Sequence, residues 1–203
     1  MKAVFILFIL SICLLHQPVK AQSNHFNDSA RILNQLRIKT NKHGMYVLGT
    51  WGVANIAEGG IGYFTAGNNQ WKYFNEMNAI WGVINAGIAG AGLAGVRKEM
   101  NEQLDCSDML LQYESTKRLY LINAGLDVLY IGTGVFLTEH SKNATSNVDE
   151  FRGFGKSLIL QGAFLFVFDN VMFASHQRRN SKWYHLVQGV CVTGNGIGFN
   201  YNF

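Results

Sequence analysis

Four apolar segments of nearly equal length constrain the fold of this chain more than any other feature. They are residues 44–64, 77–96, 119–137 and 157–175, and each contains 19 to 21 residues. A helix of about 20 apolar residues crosses the hydrocarbon core of a bilayer. None of the four alternates apolar and polar residues as a barrel strand does. The pattern therefore predicts an all-α bundle of about four transmembrane helices.

The composition agrees with closely packed membrane helices. Charged residues make up only 15% of the 203-residue chain, which contains 22 Gly and one Pro. Small residues let helix backbones approach one another in a bilayer. The Lys and Arg residues are spread along the chain without a basic run interleaved with aromatic residues, so we expect no nucleic-acid partner.

The first 21 residues have the pattern of a secretory signal peptide. Lys2 precedes an apolar stretch over residues 3–15, and Val19 and Ala21 supply small residues before Gln22. This stretch is too short to span a bilayer. We therefore expect cleavage after Ala21 and export across the inner membrane of a bacterium.

Two further segments flank the predicted bundle. Residues 22–43 place apolar side chains at roughly helical spacing, which predicts an amphipathic helix that lies at the membrane surface or packs on the bundle. Residues 194–203 contain Gly194 and Gly196 and then alternate aromatic residues with Asn, which predicts an extended tail. The predicted division is thus 1–21 signal peptide, 22–43 lead-in, 44–193 membrane bundle and 194–203 tail.

Three of the apolar segments share a spacing of one polar residue followed by two glycines. The pattern is Asn or Asp, a first Gly five positions later, and a second Gly two positions after the first. It occurs as Asn55–Gly60–Gly62, Asn85–Gly90–Gly92 and Asp127–Gly132–Gly134, and Asp169 holds the polar place in the fourth segment. In the second segment Gly82, Ala86, Gly90 and Ala94 add a stripe of small residues at four-residue spacing. We expect Gly60, Gly62, Gly82, Gly90, Gly92, Gly132 and Gly134 to lie at helix–helix contacts.

Three carboxyl groups lie inside the apolar segments, namely those of Glu58, Asp127 and Asp169. A charged group in the bilayer is costly, so such residues commonly face a functional site in the bundle interior. The alternative is that they hydrogen-bond to Asn55 or Asn85 and hold the helices together. The sequence leaves both interpretations open for these five polar residues.

Other constellations give weaker signals. Four antiparallel crossings place His43, His176 and His185 at one end of the bundle, but no two have the helical spacing of a metal motif, so we expect no metal site. No nucleophile or phosphate-binding motif is present, and we expect a non-enzymatic protein without a cofactor. Cys106 and Cys191 either pair in an oxidising compartment or remain two thiols.

The charge distribution conflicts with this topology. With four crossings, eleven Lys and Arg residues fall on the face that carries the mature N-terminus and four on the other. If the signal is cleaved, the basic face lies outside the cytoplasm, the reverse of the positive-inside rule. Three resolutions are open: the five acidic residues of the second loop offset its basic residues, the number of crossings is odd, or the protein lies in an outer membrane. Because helices this apolar are ordinarily retained in the inner membrane, we expect that membrane in preference to the outer one.

The segments just described also carry a family resemblance. Gly44-Met45, residues 51–55, Tyr73-Phe74, residues 77–79 and the Gly-rich second segment resemble an uncharacterised family of exported proteins from Gram-negative bacteria, classed as a domain of unknown function. The resemblance implies a helical membrane domain and no assigned activity.

The sequence as a whole therefore predicts a structural or interaction bundle of the cell envelope. Its expected partners are the lipid bilayer and a second copy of the chain or another membrane protein. The alternative is a small transporter, or a ligand- or ion-binding bundle that uses the intramembrane carboxyl groups.

Overall fold

A computed structural model describes the backbone of residues 19–180, 191–193 and 196–198. Four long helices account for most of it: α1 (Val19–Thr65), α2 (Asn69–Asn101), α3 (Cys106–His140) and α4 (Val148–Asn180). Two short strands, β1 (Cys191–Thr193) and β2 (Gly196–Gly198), pair antiparallel with Val192 opposite Ile197. The predicted helical bundle is confirmed. Residues 1–18 of the predicted signal peptide and residues 199–203 of the predicted tail lie outside the described part.

Three of these helices are long and apolar enough to cross a membrane. They are Asn69–Asn101, Ser107–His140 and Val148–Arg178. The first predicted span, residues 44–64, lies in α1, which does not meet the same criterion over its described length. The reason is its composition, because Asn55, Glu58 and six glycines dilute the apolar residues of this segment.

The lead-in and the first apolar segment form one continuous helix rather than two elements. α1 contains 47 residues, which corresponds to about 70 Å at the helical rise of 1.5 Å per residue. Leu33 and Ile38 of the lead-in are buried, so this part of α1 packs on the bundle. Most of the polar stretches between the apolar segments are likewise helical, and the turns between helices are short.

Side-chain caps define two of these turns. The Asn68 side chain accepts a hydrogen bond from the backbone N–H of Trp71 at 3.0 Å, and Asp105 accepts one from Asp108 at 2.8 Å. Each cap satisfies an N–H group at the start of a helix. The chain therefore reverses direction sharply after α1 and after α2, which makes neighbouring helices antiparallel.

The four helices pack as two hairpins. α1 lies along α2, and α3 lies along α4, while the hairpins meet mainly through α2 and α4. α2 and α3 are consecutive in the chain, but within the described residues their backbones lie apart and they meet through side chains such as Trp81 and Tyr130. A groove therefore runs between α2 and α3 on one side of the bundle.

The interior of the bundle is unusually polar and its exterior unusually apolar. The six largest fully buried side chains are all polar: His176, Gln161, Asn78, Asn85, Ser141 and Ser157. Large apolar side chains such as Ile61, Leu129 and Phe136 are more than 60% exposed. A protein folded in water shows the opposite distribution, whereas lipid is a favourable surrounding for apolar side chains.

Candidate functional site

A cluster of five side chains joins three helices at the centre of the bundle. We call it the amide cluster, and it consists of Trp51 and Asn55 from α1, Asn78 from α2, and Ser157 and Gln161 from α4. Gln161 Nε2 donates to Asn55 Oδ1 at 2.7 Å and to Asn78 Oδ1 at 3.1 Å. Gln161 Oε1 accepts the indole N–H of Trp51 at 2.9 Å. Both donors and the acceptor of this amide are thus satisfied by other helices.

The remaining members close the cluster. Ser157 Oγ donates to Asn78 Oδ1 at 2.5 Å, and Asn55 Nδ2 donates to the Trp51 carbonyl at 2.7 Å. The Trp51 ring stacks on Phe164 with a centroid distance of 3.9 Å. Since Asn78, Ser157 and Gln161 are at most 1% exposed, the cluster is shielded from the surroundings and fixes the rotation of α1, α2 and α4 about their axes.

The five polar residues predicted from the sequence divide between two places. Asn55 belongs to the amide cluster, and the exposed Glu58 accepts a hydrogen bond from Asn78 Nδ2 at 3.4 Å at its edge. Asn85, Asp127 and Asp169 are each less than 5% exposed and line a separate cavity. The Asn–Gly–Gly spacing therefore contributes to two different polar sites rather than to one repeated contact.

The cavity lies beside the groove between α2 and α3 and has a volume of about 340 Å³. Asp127 of α3 and Asp169 of α4 meet there, with their carboxyl groups within hydrogen-bonding range of each other. Asn85 Nδ2 and Asp127 Oδ2 are buried without a hydrogen-bond partner in the described structure. Buried polar groups are nearly always paired, so these two atoms of the cavity wall are exceptions.

A third set of polar side chains, centred on Arg37, connects the helix ends beyond the cavity. The Arg37 guanidinium is 2% exposed and pairs with Glu99 Oε2 at 2.9 Å. It also donates to Asn34 Oδ1 at 2.8 Å and to Gln112 Oε1 at 2.7 Å. α1, α2 and α3 are therefore joined at the end of the bundle that carries most of the basic residues.

The predicted histidine cluster does not come together as a metal site in the described residues. His176 is buried and its Nε2 lies 3.0 Å from Asn41 Oδ1, while its ring stacks on Tyr120. His43 Nδ1 lies 2.7 Å from the Lys39 carbonyl of its own helix. No group of three or more His, Cys, Asp or Glu residues within the described side chains is arranged to hold a metal ion. The side chains of His185, Cys106 and Cys191 are not among those that the structure describes.

Only one glycine of each repeated Gly-x-Gly pair lies against another helix. A Cβ on Gly134 would lie 2.6 Å from the Gly155 carbonyl oxygen, and one on Gly62 or Gly92 would overlap the side chain of Asn75 or Met45. Gly60, Gly90 and Gly132 face open space, so the prediction that these three lie at helix contacts is wrong. The reason is geometric, because residues two apart on a helix point about 200° apart.

The stripe of small residues predicted along α2 holds for its first two members, because a Cβ on Gly52 would lie 2.8 Å from the Gly82 oxygen and 2.6 Å from the Ala86 nitrogen, but it fails at Gly90. Gly82 packs on the backbone of Gly52 and Ile56, with 2.7 Å between its Cβ position and the Gly52 oxygen. The buried face then continues through Asn85 and Ala89, not through Gly90. A four-residue spacing drifts around the helix by about 40° at each step, whereas alternating steps of three and four keep to one face.

Several residues of these sites were not singled out from the sequence. Gln161 and Asn78 hold the amide cluster, and Arg37 pairs with Glu99 at the basic end. Gln161 was detectable, because an amide inside an apolar segment gives the same signal as Asp169. The pairing of Arg37 was not, because it depends on how far the helices continue beyond the apolar segments.

The geometry defines a class of protein, a helical bundle with polar sites inside and apolar faces outside. Residues 47–170 match a family that is described as being of unknown function, DUF6992. The chain belongs to this family, and the matched part runs from α1 through most of α4. No curated protein and no solved structure shows significant similarity to the chain.

Proposed function

We propose that the chain is an exported, multi-pass membrane protein that serves the bacterial cell envelope as a non-enzymatic structural or interaction bundle. The observation that carries this proposal is the inverted distribution of polarity. The largest fully buried side chains are polar, while apolar side chains face outward along α2, α3 and α4. Lipid is the surrounding in which this distribution stabilises the fold.

The positions of the aromatic and basic residues support membrane insertion. Near the turn between α1 and α2, Lys72 lies over the Tyr63 ring at 4.7 Å, and Lys156 lies over the Trp71 ring at 5.3 Å. Aromatic rings with basic neighbours are typical of the membrane–water interface. This end of the bundle therefore marks one boundary of the proposed span, and the Arg37–Glu99 pair lies towards the opposite end.

The non-enzymatic role is supported by what the buried polar groups do. The side chains of the amide cluster bind one another across three helices, and those of Arg37 and Glu99 do the same at the basic end. Interhelical hydrogen bonds of this kind hold membrane bundles together. The exposed apolar faces are available to lipid, to a second copy or to a membrane-protein partner.

Export and membrane location are tested together by fractionation and cysteine labelling. In a variant without native cysteines, single cysteines at Asn68 and Glu102 report the two ends of the bundle. We expect the protein in the inner-membrane fraction, with only one of the two cysteines modified by an impermeant thiol reagent from the periplasm. Recovery in the soluble fraction would contradict the proposal, and recovery in the outer membrane would replace the inner-membrane assignment.

A second candidate function, a small-ligand- or ion-binding bundle, is favoured by one observation. Asp127 and Asp169 meet at a cavity wall on which Asn85 Nδ2 and Asp127 Oδ2 have no hydrogen-bond partner in the described structure. Buried polar atoms of a wall used only for packing are nearly always paired. If Asp127→Asn and Asp169→Asn abolish solute binding or transport while the protein still folds, this function is supported; retained activity would contradict it.

A further inference from the structure

We infer that the cavity between α2, α3 and α4 binds the ammonium group of an amphiphilic primary amine, whose apolar chain lies in the groove between α2 and α3. This inference deepens the ligand-binding candidate above and rests on it. It commits to the charge of the ligand, its shape and its direction of entry.

The charge of the wall favours a cation. Asp127 and Asp169 contribute two carboxyl groups, and no Lys, Arg or His is among the residues that line the cavity in the described structure. Two carboxyl groups on a wall without a cationic side chain lack a counter-charge. Because a buried charge without a counter-ion is costly, a ligand with one positive charge stabilises this wall.

The hydrogen-bonding capacity of the wall favours a polar head group. Asn85 is 1% exposed and Asp127 is 3% exposed, and both side chains line the cavity. Asp127 Oδ2 makes no hydrogen bond in the described structure, and an ammonium group supplies the donor that it needs. The unpaired Asn85 Nδ2 is itself a donor, so it does not bind the ammonium group.

The aromatic residues favour an organic cation over a metal ion. The rings of Trp81 and Tyr130 line the cavity and lie edge to face with centroids 5.0 Å apart. Tyr120 and Phe168 complete this wall. Ring faces attract ammonium groups, whereas a metal ion needs several oxygen, nitrogen or sulfur ligands.

The mouth of the cavity favours an apolar chain on the ligand. Ile84 and Ile88 of α2 and Leu119 and Leu126 of α3 line it, and each is between 44% and 57% exposed. Since the backbones of α2 and α3 lie apart and these four side chains are exposed, the mouth opens sideways beside the Trp81–Tyr130 contact, through the apolar exterior of the bundle. A ligand that enters here passes through the layer that the proposed function assigns to lipid.

Binding of octylamine to the purified full chain in nonionic micelles tests the inference, with octanol as the neutral analogue and methylamine as the head group alone. We expect octylamine to bind at least tenfold more tightly than either. Equal binding of octylamine and octanol would overturn the cation site. Equal binding of octylamine and methylamine would overturn the role of the apolar groove. If NaCl or KCl protects the chain from unfolding and no amine binds, the ligand is an inorganic ion and not an amine.

Variants of the cavity wall test whether octylamine binds there. Asp127→Asn combined with Asp169→Asn should lower the affinity for octylamine at least tenfold, and Glu58→Gln, which alters an exposed carboxyl outside the cavity, should leave it unchanged. Tyr130→Leu keeps both carboxyl groups and is the test to use if the double variant does not fold. It should weaken the binding of octylamine more than the binding of octanol. Unchanged octylamine affinity in either cavity variant would overturn the assignment. Membrane fractionation of the same preparations reports separately on the proposed function.

Discussion

Gln161 of α4 donates to Asn55 of α1 at 2.7 Å with an exposed fraction of zero, across 106 positions of the sequence. The same Nε2 donates to Asn78 of α2. One amide therefore joins both hairpins of the bundle. This relationship explains why a glutamine occupies the middle of a segment that is otherwise apolar.

Replacement of Gln161 by Leu should destabilise the bundle. It leaves Asn55 Oδ1 and the Trp51 indole N–H without their interhelical partner. Interhelical hydrogen bonds in membranes contribute about 0.6 to 2 kcal/mol each, and we expect a loss of about 2 kcal/mol from the free energy of unfolding. Thermal or denaturant unfolding in micelles measures it.

Asn170→Leu is the matched control for this change. Asn170 is an exposed amide on the same helix, and it donates to the Phe166 carbonyl of its own helix. We expect its replacement to change the free energy of unfolding by less than about 0.5 kcal/mol, as is usual at exposed positions. Equal effects of the two substitutions would contradict a structural role for the amide cluster.

The two glycines of one Gly-x-Gly pair should respond differently to alanine. On Gly134 the added methyl group would lie 2.6 Å from the Gly155 oxygen, while on Gly132 it would meet no atom within 4 Å. Overpacking of this kind costs about 1 to 3 kcal/mol. We expect Gly134→Ala to lower the unfolding temperature in micelles, and Gly132→Ala to maintain or raise it, because alanine favours the helix.

If Gly132→Ala were the more damaging of the pair, α3 would have to be rotated about its axis so that Gly132 rather than Gly134 faces α4. The same comparison applies to Gly92 and Gly90 in α2, although Gly92 meets the flexible side chain of Met45 rather than backbone. We therefore expect a smaller difference between those two variants.

Removal of the buried arginine should be far more costly than removal of an exposed lysine. Arg37 is 2% exposed and pairs with Glu99, whereas Lys98 is 80% exposed and lies 3.7 Å from Glu102. Loss of one partner of a buried ion pair costs about 3 to 5 kcal/mol, and an exposed pair contributes about 0 to 1 kcal/mol. Unfolding of Arg37→Gln and Lys98→Gln, measured side by side, should show this difference.

A result in which the two variants unfold alike would mean that water reaches Arg37 in the folded bundle. Added salt provides a further control, because salt screens exposed pairs more than buried ones. We expect the Arg37→Gln defect to persist at high ionic strength.

The sequence predicted the type of fold well and the contacts less well. The apolar segments located four helices, and the polar residues within them identified Asn85, Asp127 and Asp169 as interior positions. The length of a segment does not show where a helix ends, so the extension of α1 and the pairing of Arg37 with Glu99 were missed. Nor does a repeated spacing show how a helix is rotated, and for this reason Gly60, Gly90 and Gly132 were assigned to contacts.

The hairpin arrangement was the other feature that no pattern in the chain revealed. Antiparallel order places α2 beside α3 as readily as beside α4, and only the three-dimensional structure shows that α2 packs on α4 and leaves the groove towards α3. Because the cavity opens into that groove, its mouth was equally unpredictable. Asp127 and Asp169 are singled out by the sequence, but neither their meeting at one cavity nor the surroundings of that cavity follow from it.

Membrane insertion is tested most directly by the reactivity of one cysteine in the middle of α3. Leu129 is 64% exposed and Met100, near the end of α2, is 61% exposed, so neither is protected by the protein itself. In a background without native cysteines, membrane fragments carrying Leu129→Cys or Met100→Cys are treated with a water-soluble maleimide. The account predicts rapid modification of the cysteine at position 100 and almost none of that at position 129 until the membrane is dissolved. Equal rates at the two positions in intact membranes would contradict it.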